Sequence, residues 1–436
     1  MIVVIGGGVS GLAVGHYLHR QGRAVQLFEA SDRVGGAIQS VLEQDYRVEL
    51  GPNSLLADNT VREIIAEIGL AGRILPPRSV SRHRYIYKAG RYRRLPGDPL
   101  RLLGSGFFSV GAKLALFREP FKRSRSPEGE SVAGFFARRF SQEIVDYAVN
   151  PFVSGIYAGD PRRLVMARTF PSLLDYERRH GSLIRGALRG GGGSGRRSSF
   201  SFDTGMEALT AQLARDLPLA LNTPVEGLES TAEGWRVLTP RGAVAARRVV
   251  LAVPAYRAAT LLAGVEPRAE LLASMDYPPL CVVHSVYARD AVGHSLDGFG
   301  GLHPRVENLF SAGSIWSSSL FPERCPPDRV LLTTFVGGAQ YRAHTALADT
   351  ELLARTAAEL AHLYDIRQPP LWQRLTRWER AIPQYDAASG PAWELAGELA
   401  GRGLHVCANW WGGVSAADCL KKGRELAHQL AVETTD

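Results

Sequence analysis

Apolar and polar positions along the chain alternate between two periods. Ile2–Ile5 is a β-branched apolar run and predicts a short buried strand. A helix follows to about Gln21, with Leu12, Ala13 and Leu18 on its apolar side, and Gly22 suits the residue after its end. A second strand, Ala24–Phe28, ends at Glu29. Further on, Arg236–Thr239 and Ala243–Ala252 read as a small β-unit, and Cys281–Tyr287 and Val330–Val336 as strands. A helix is expected around Thr350–Tyr364. Near the end, Leu404–Cys407 reads as a strand, and a helix runs to about Leu430 with Leu420, Leu426, Ala427 and Leu430 as its stripe. The segment Leu100–Phe121 is different. It carries Leu102, Leu103, Phe107, Phe108, Val110, Leu114, Leu116, Phe117 and Phe121, with Arg101, Lys113, Arg118, Lys122, Arg123 and Arg125 among them.

Composition sharpens this picture. The chain has 436 residues, 45% hydrophobic and 22% charged, a soluble globular balance that excludes wholesale disorder. Its length suggests two to four domains at about 100–200 residues each. The net charge is +8, unevenly spread: residues 73–197 carry 25 Lys/Arg against 9 Asp/Glu, a net of +16, and the rest sums to −8. No groove-reading motif accompanies the basic segment, so nucleic acid is the weaker explanation of it. An apolar segment rimmed by cations suits an anionic bilayer surface; the alternative is a core helix with a solvated basic face. No apolar run is long enough to span a membrane, and the opening strand leaves no room for a signal peptide. The four cysteines, 281, 325, 407 and 419, form no C-x-x-C, suggest no metal site, and fit a reducing compartment.

The candidate chemistry begins at Gly6-x-Gly8-x-x-Gly11, which sits between the first strand and its helix, with Glu29 closing the second strand. This is the order a dinucleotide site needs. Gly6 permits the tight turn, Gly8 lets a pyrophosphate approach, Gly11 lets the helix close on the sheet, and Glu29 can accept from ribose hydroxyls. A second match, Gly190 to Gly195, has no strand before it and reads as a flexible loop. Arg33-Val34-Gly35-Gly36 resembles the R-x-G-G element of flavoproteins built like glutathione reductase and the amine oxidases. That likeness implies FAD rather than a nicotinamide, with Arg33 on the pyrophosphate and Gly35 and Gly36 beside the phosphates. It also implies that the final turn, Gly413-Val414-Ser415, points a helix N-terminus at the flavin.

Together the motifs resemble the protoporphyrinogen and coproporphyrinogen oxidases of the oxygen-dependent flavin type, over nearly the whole chain. The most specific pieces are Gly51-Pro52-Asn53-Ser54, Asn150–Asp160, Ala381–Tyr385, and Gly413-Val414-Ser415 with Asp418-Cys419. The resemblance implies an α/β (α+β) fold. A Rossmann-like FAD domain would span 1–76, 200–256 and 376–436, a β-sheet substrate domain 77–97 and 257–375, and a helical, basic, membrane-associating insert 98–199. Gly51, Val225 and Trp378 complete the implied cofactor set. Arg84 is the implied propionate partner, Leu302 and Phe335 the pair about the ring plane, Ile315 a further wall, and Asn53 a polar neighbour; Arg168, Arg82 and Arg91 are further available cations. The implied reaction takes hydride from a porphyrinogen to flavin N5, with dioxygen reoxidising the flavin to give hydrogen peroxide. It needs no dedicated catalytic side chain. Protoporphyrinogen is preferred over coproporphyrinogen, because a tetra-anion needs more converging donors. The expected location is cytoplasmic, peripheral at the inner face of the membrane, and a homodimer is an open assembly.

Other readings differ in specific features. A flavin amine oxidase of this fold uses a lysine in its substrate domain, and residues 123–420 contain none. An isoprenoid desaturase would leave the 150–160 motif unexplained, and a non-catalytic flavin scaffold is separable only by turnover. The chain also departs from the family pattern at Thr204, Ala408, Asp386–Pro391 and the bulky Trp410-Trp411.

Overall fold

The computed structural model describes residues 1–97, 104–189 and 198–432. Leu100, Arg101, Leu102, Leu103 and the Gly190–Gly195 loop lie outside these residues.

Five strands form a parallel sheet: β1 (Ile2–Ile5), β2 (Val25–Phe28), β10 (Leu219–Ala220), β14 (Arg248–Leu251) and β20 (Leu404–Val406), in the order β10-β2-β1-β14-β20. β1 and β20 are buried throughout and β14 at all but Arg248, as a parallel sheet covered on both faces requires. The helices Val9–Arg20 and Ala416–Val432 pack together on one side. A Cβ at Gly423 would lie 2.5 Å from that of Ala13, so the close approach depends on glycine. Gly22 takes φ 69° after the first helix.

β11 (Gly227–Thr231), β12 (Gly234–Thr239) and β13 (Gly242–Ala246) form a separate antiparallel sheet. The expectation of a single β-unit over Ala243–Ala252 is corrected here. The segment breaks at Arg247; its first half stays in the small sheet and its second half becomes β14 of the parallel one.

The largest sheet has seven strands. They are β7 (Arg84–Lys88), β8 (Arg91–Leu95), β15 (Leu280–Ala288), β16 (Gly300–Leu302), β17 (Gly313–Ile315), β18 (Arg329–Gly337) and β19 (Trp372–Trp378), in the order β19-β15-β18-β17-β16-β7-β8. β7 and β8 form a hairpin whose central residues, Ala89 and Gly90, both have positive φ, the mirror-image turn that suits strand twist. The helix Asp349–Tyr364 covers one face, with Leu360, Leu363 and Tyr364 packed against Tyr287, Trp316 and Leu332. The other face looks toward β3 (Ser40–Glu43), β4 (Tyr46–Glu49) and the loop after them, with Val286 and Leu331 packed on Tyr46, Val48 and Leu50.

The described part of the basic segment is helical and has its own core of Phe107, Phe108, Phe135, Val153 and Tyr157. Its centre holds a fully buried ion pair, Arg139–Glu119, whose carboxylate also accepts from Ser182 and from the amide of Leu183 at 2.9 Å. Phe107 and Phe108 were expected among the surface-seeking residues. They are buried, because the chain bends before the helix Val110–Arg118 and turns them inward. The apolar residues left outside are Val110, Leu114, Phe117 and Phe121, 73%, 47%, 60% and 77% exposed, at the spacing of one helix face. Among the described residues no helix is long and apolar enough to cross a membrane.

Candidate active site

The glycine turn after β1 is built for a close ligand. A Cβ on Gly11 would sit 2.0 Å from the Gly6 carbonyl oxygen, so only glycine lets the helix come down onto the turn. Gly6 has φ 108°. A Cβ on Gly8 would meet nothing within 4 Å, so this residue faces open space. No side chain caps the first turn of the helix Val9–Arg20, which leaves its first amides available to phosphate oxygens. The amide of Gly35 donates to the carbonyl of Gly7 at 2.8 Å, and Gly36 brings its α-carbon side against Gly8. A Cβ on Gly51 would strike the Ala37 carbonyl at 1.9 Å. Three glycine loops thus converge on one cradle that side chains would fill.

Glu29 stands at its edge. Its carboxylate accepts from the amide of Gly7 at 2.6 Å and from the amide and hydroxyl of Ser31 at 2.8 and 2.7 Å. The segment to Val225 runs alongside, with the Thr223 amide donating to the Glu29 carbonyl at 2.9 Å, and Val225 is half-buried there. Arg33 spends donors on its own loop, to the carbonyls of Val34 at 3.1 Å and Gly36 at 2.8 Å. Trp378 donates its indole N–H to the Leu50 carbonyl at 2.9 Å and so ties the Gly51 loop to β19. At the far end, Ser415 caps the last helix. Its hydroxyl accepts from the Asp418 amide at 3.1 Å, and the Asp418 carboxylate accepts from the Ser415 amide at 3.4 Å, a reciprocal capping box. Gly413 takes φ 124°, and Val414 packs on the helical core. The uncapped amides, the open Gly8 and the acceptor at Glu29 fit FAD.

The seven-stranded sheet supplies a second surface. Register puts Leu302, Gly313 and Phe335 in one row across β16, β17 and β18. Ile315 and Thr333 lie in the next row, paired with each other and with Gly300. Leu302 also pairs with Ile86 of β7, and alternation puts Arg84 on the same face. Arg84, Leu302, Ile315 and Phe335 therefore share one face. Gly300 and Gly313 let the strands close up where any side chain would collide with backbone: a Cβ would strike Ser314 O at 2.2 Å or Gly301 O at 2.5 Å. The helix Asn150–Tyr157 closes the slot from above, where Gly155 faces a Leu302 methyl at 3.3 Å. Asn53 joins this face from the Gly51 loop. It lines a small cavity, room for about one water, with Ile315, Ser317 and Thr333.

The deep side of that cavity is a buried ion pair. Arg324 donates to Glu49 at 2.5 Å and to the Ser201 hydroxyl at 2.6 Å. Glu49 also accepts from the Ser40 hydroxyl at 2.6 Å and the Met206 amide at 3.0 Å. Burial pushes its carboxyl above the ordinary range, and Arg324 with these donors offsets only part of that. Arg84 differs. Its guanidinium lies 4.3 Å from the centre of the Phe299 ring, and among the described residues no carboxylate pairs with it. Arg168 is not brought to this face; it donates to the Asp386 carbonyl at 3.0 Å. Arg82 and Arg91 are exposed, Arg91 at the outer edge of β8.

Sequence reasoning assigned no task to several residues that build the site. Gly300 and Gly313 make the slot, and a glycine inside a strand was their only signal. The Asn150–Asp160 motif clamps the helical segment to the sheet: Asn150 bonds Gln340 at 2.8 Å and accepts from the Arg305 amide at 3.0 Å, and Gln340 bonds the Gly159 carbonyl at 2.9 Å. Tyr385, fully buried, donates to the Asn409 carbonyl at 2.6 Å and accepts from the Gly413 amide at 3.1 Å.

Comparison with known proteins agrees with this geometry. Residues 9–431 match the family described as "Flavin containing amine oxidoreductase". A mitochondrial protoporphyrinogen oxidase of Nicotiana tabacum is 32% identical, over 98% of this chain and 94% of its own. A coproporphyrinogen III oxidase of Bacillus subtilis is 26% identical, over 97% and 96%. Among solved structures, a candidate protoporphyrinogen oxidase from Exiguobacterium superposes with a TM-score of 0.83 at 21% identity, covering 99% of this chain and 98% of that one. A putrescine oxidase superposes at 0.71 with 17% identity, covering 99% and 98%; at such identities these likenesses speak for the fold. This chain is an FAD-dependent oxidoreductase, and it belongs to the flavin-containing amine oxidoreductase family, in the branch that holds the protoporphyrinogen and coproporphyrinogen oxidases.

Proposed function

We propose that this protein oxidises protoporphyrinogen IX to protoporphyrin IX in repeated two-electron steps, in haem biosynthesis, with dioxygen as final acceptor and hydrogen peroxide as product. The observation that carries the reading is the shared sheet face, on which Arg84, Leu302, Ile315 and Phe335 stand together with the glycines at 300 and 313. A tetrapyrrole needs a flat apolar slot and a cation for its propionates. Leu302 and Phe335, in one row with Gly313 between them, supply dispersion and π contact. Arg84, uncommitted to any carboxylate among the described residues, supplies a fork for a propionate. FAD in the glycine cradle supplies a two-electron acceptor. Asn53 and the water-sized cavity behind it give the departing pyrrole proton a polar exit. The sheet face offers no lysine, which counts against amine oxidation.

The same reading places the protein at a membrane surface, peripherally and on the cytoplasmic side. The Val110–Phe121 stripe, with Lys113, Arg118 and Arg185 around it, supports it. Flotation with anionic vesicles, lost in high salt and in Phe117→Asp, is the expected result.

Turnover of protoporphyrinogen IX and coproporphyrinogen III, followed side by side by porphyrin fluorescence and oxygen uptake, tests the reaction. Faster protoporphyrin formation is expected, and faster coproporphyrin formation would reassign the substrate. If neither substrate bleaches the flavin anaerobically, the enzymatic reading fails.

A further inference from the structure

The final turn is one of the places where this chain departs from the family pattern, at Ala408 and Trp410-Trp411. One side chain gathers that turn. Lys422, in the second turn of the last helix and half-buried, points its ammonium back and donates to the carbonyl oxygens of Ala408 at 2.8 Å and Gly413 at 3.2 Å, and to that of Trp411. Trp410 is tied in as well. The Trp410 indole donates to Val253 O at 2.9 Å, and the Trp410 carbonyl accepts from the Trp393 indole at 2.6 Å. Three N–H donors on one small tetrahedral head suit three converging carbonyls; a planar guanidinium does not.

Lysine is scarce in this chain, with five against 46 arginines. Three of the other four also place an ammonium on a backbone carbonyl: Lys88 on Phe107 at 2.7 Å, Lys113 on Ser105 at 2.6 Å and Lys122 on Arg138 at 2.6 Å. The choice at 422 follows the same chemistry, at the turn that opens the last helix.

We infer that Lys422 is a positioning residue for FAD that also raises the flavin's reduction potential. It fixes the Ala408–Gly413 turn and sets a positive charge behind the amides of Gly413–Ser415. The inference rests on the reading that this turn faces the flavin. Reduction adds negative charge to the isoalloxazine, so a nearby cation in a half-buried site stabilises the reduced form more than the oxidised form. Carbonyl oxygens hold the ammonium in place and weaken its field without cancelling it.

The test uses the full-length holoprotein and no porphyrinogen, so it is independent of the substrate assignment. The flavin midpoint potential is measured by equilibration with a reference dye, and FAD dissociation by fluorescence. Lys422→Gln keeps N–H donors for the carbonyls and loses the charge. We expect reduced FAD to lose about tenfold in binding relative to oxidised FAD, a midpoint about 30 mV lower. Lys422→Arg keeps the charge and should restore most of the potential while FAD dissociates more readily. An unchanged potential in Lys422→Gln, with only a lower unfolding temperature, overturns the inference. If Tyr385→Phe and Lys422→Gln both leave FAD affinity and potential at parental values while Gly8→Ala abolishes binding, the flavin does not face this turn and the premise itself is wrong.

Discussion

The glycine cradle and the sheet slot use the same residue for opposite ends. In the cradle, the glycines at 6, 11 and 51 are needed because backbone lies against them, and Gly8 is needed because nothing does. The residues of each loop are a few positions apart, so one short segment builds each wall. In the slot, Gly300 and Gly313 are crowded by neighbouring strands, and what they provide is the close pairing that sets Leu302, Ile315 and Phe335 on one face. Its walls come from residues 84, 302, 315 and 335, which meet only through strand register. A cofactor site can thus be written locally, while a substrate site here depends on the pairing of distant strands.

Substitutions can break or sharpen this contrast. The largest effect is expected for Gly11→Ala, which puts a methyl 2.0 Å from the Gly6 carbonyl. Soluble holoprotein should be lost, a destabilisation above about 4 kcal/mol. Gly8→Ala should leave the unfolding temperature within about 2 °C of the parent, since such surface changes cost about 0.5 kcal/mol or less, yet abolish FAD binding. Equal destabilisation by both would erase the distinction between crowded and open glycines.

On the slot, Arg84→Ala should raise KM for a porphyrinogen about tenfold, about 1.4 kcal/mol for a lost charge-assisted contact, with an unaltered flavin spectrum. Arg84→Lys should recover only part, since an ammonium cannot fork a carboxylate. Phe335→Ala should raise KM about fivefold, near the 1 kcal/mol typical of an aromatic contact. A changed flavin spectrum in either variant would mean that slot and cradle are not separate.

The last effect concerns the ground between the two sites. His284 of β15 is buried, and its Nε2–H donates to the Glu49 carbonyl at 3.1 Å while Nδ1 has no partner. Burial lowers its pKa from 6.5 to about 4. The unfolded chain therefore takes up a proton near pH 6.5 and the folded one only near pH 4. The stability is fully present above pH 6.5 and is lost as pH falls toward 4, at about 1.4 kcal/mol per unit. Denaturant unfolding of His284→Gln across this window should show a shallower pH slope than the parent.

These contrasts also explain what the sequence disclosed. The strand, turn, helix and strand from Ile2 to Phe28 were legible because each declares its period within a few residues, and β15, β18 and the helix Asp349–Tyr364 for the same reason. Hydropathy could not tell Phe107 and Phe108, which face a core, from Phe117 and Phe121, which face outward, since all four are equally apolar. Nor could it show that Arg248 begins a strand of another sheet. The tasks of Tyr385 and Lys422 went unread because their partners are backbone atoms, and a backbone carbonyl leaves no trace in a residue pattern.

The strand order of the parallel sheet bears on how the protein is made. β1 spans Ile2–Ile5, while β20 and the helix that packs on Val9–Arg20 come from residues 404–432, several hundred residues later in synthesis. A nascent chain can form the glycine turn early, but the wall opposite arrives only with those last residues. Cofactor loading is then a late event, and the half-built sheet must wait with exposed edges through several hundred residues of synthesis. Stalled or C-terminally trimmed chains should emerge flavin-free and prone to aggregate, even though their dinucleotide motif is already made.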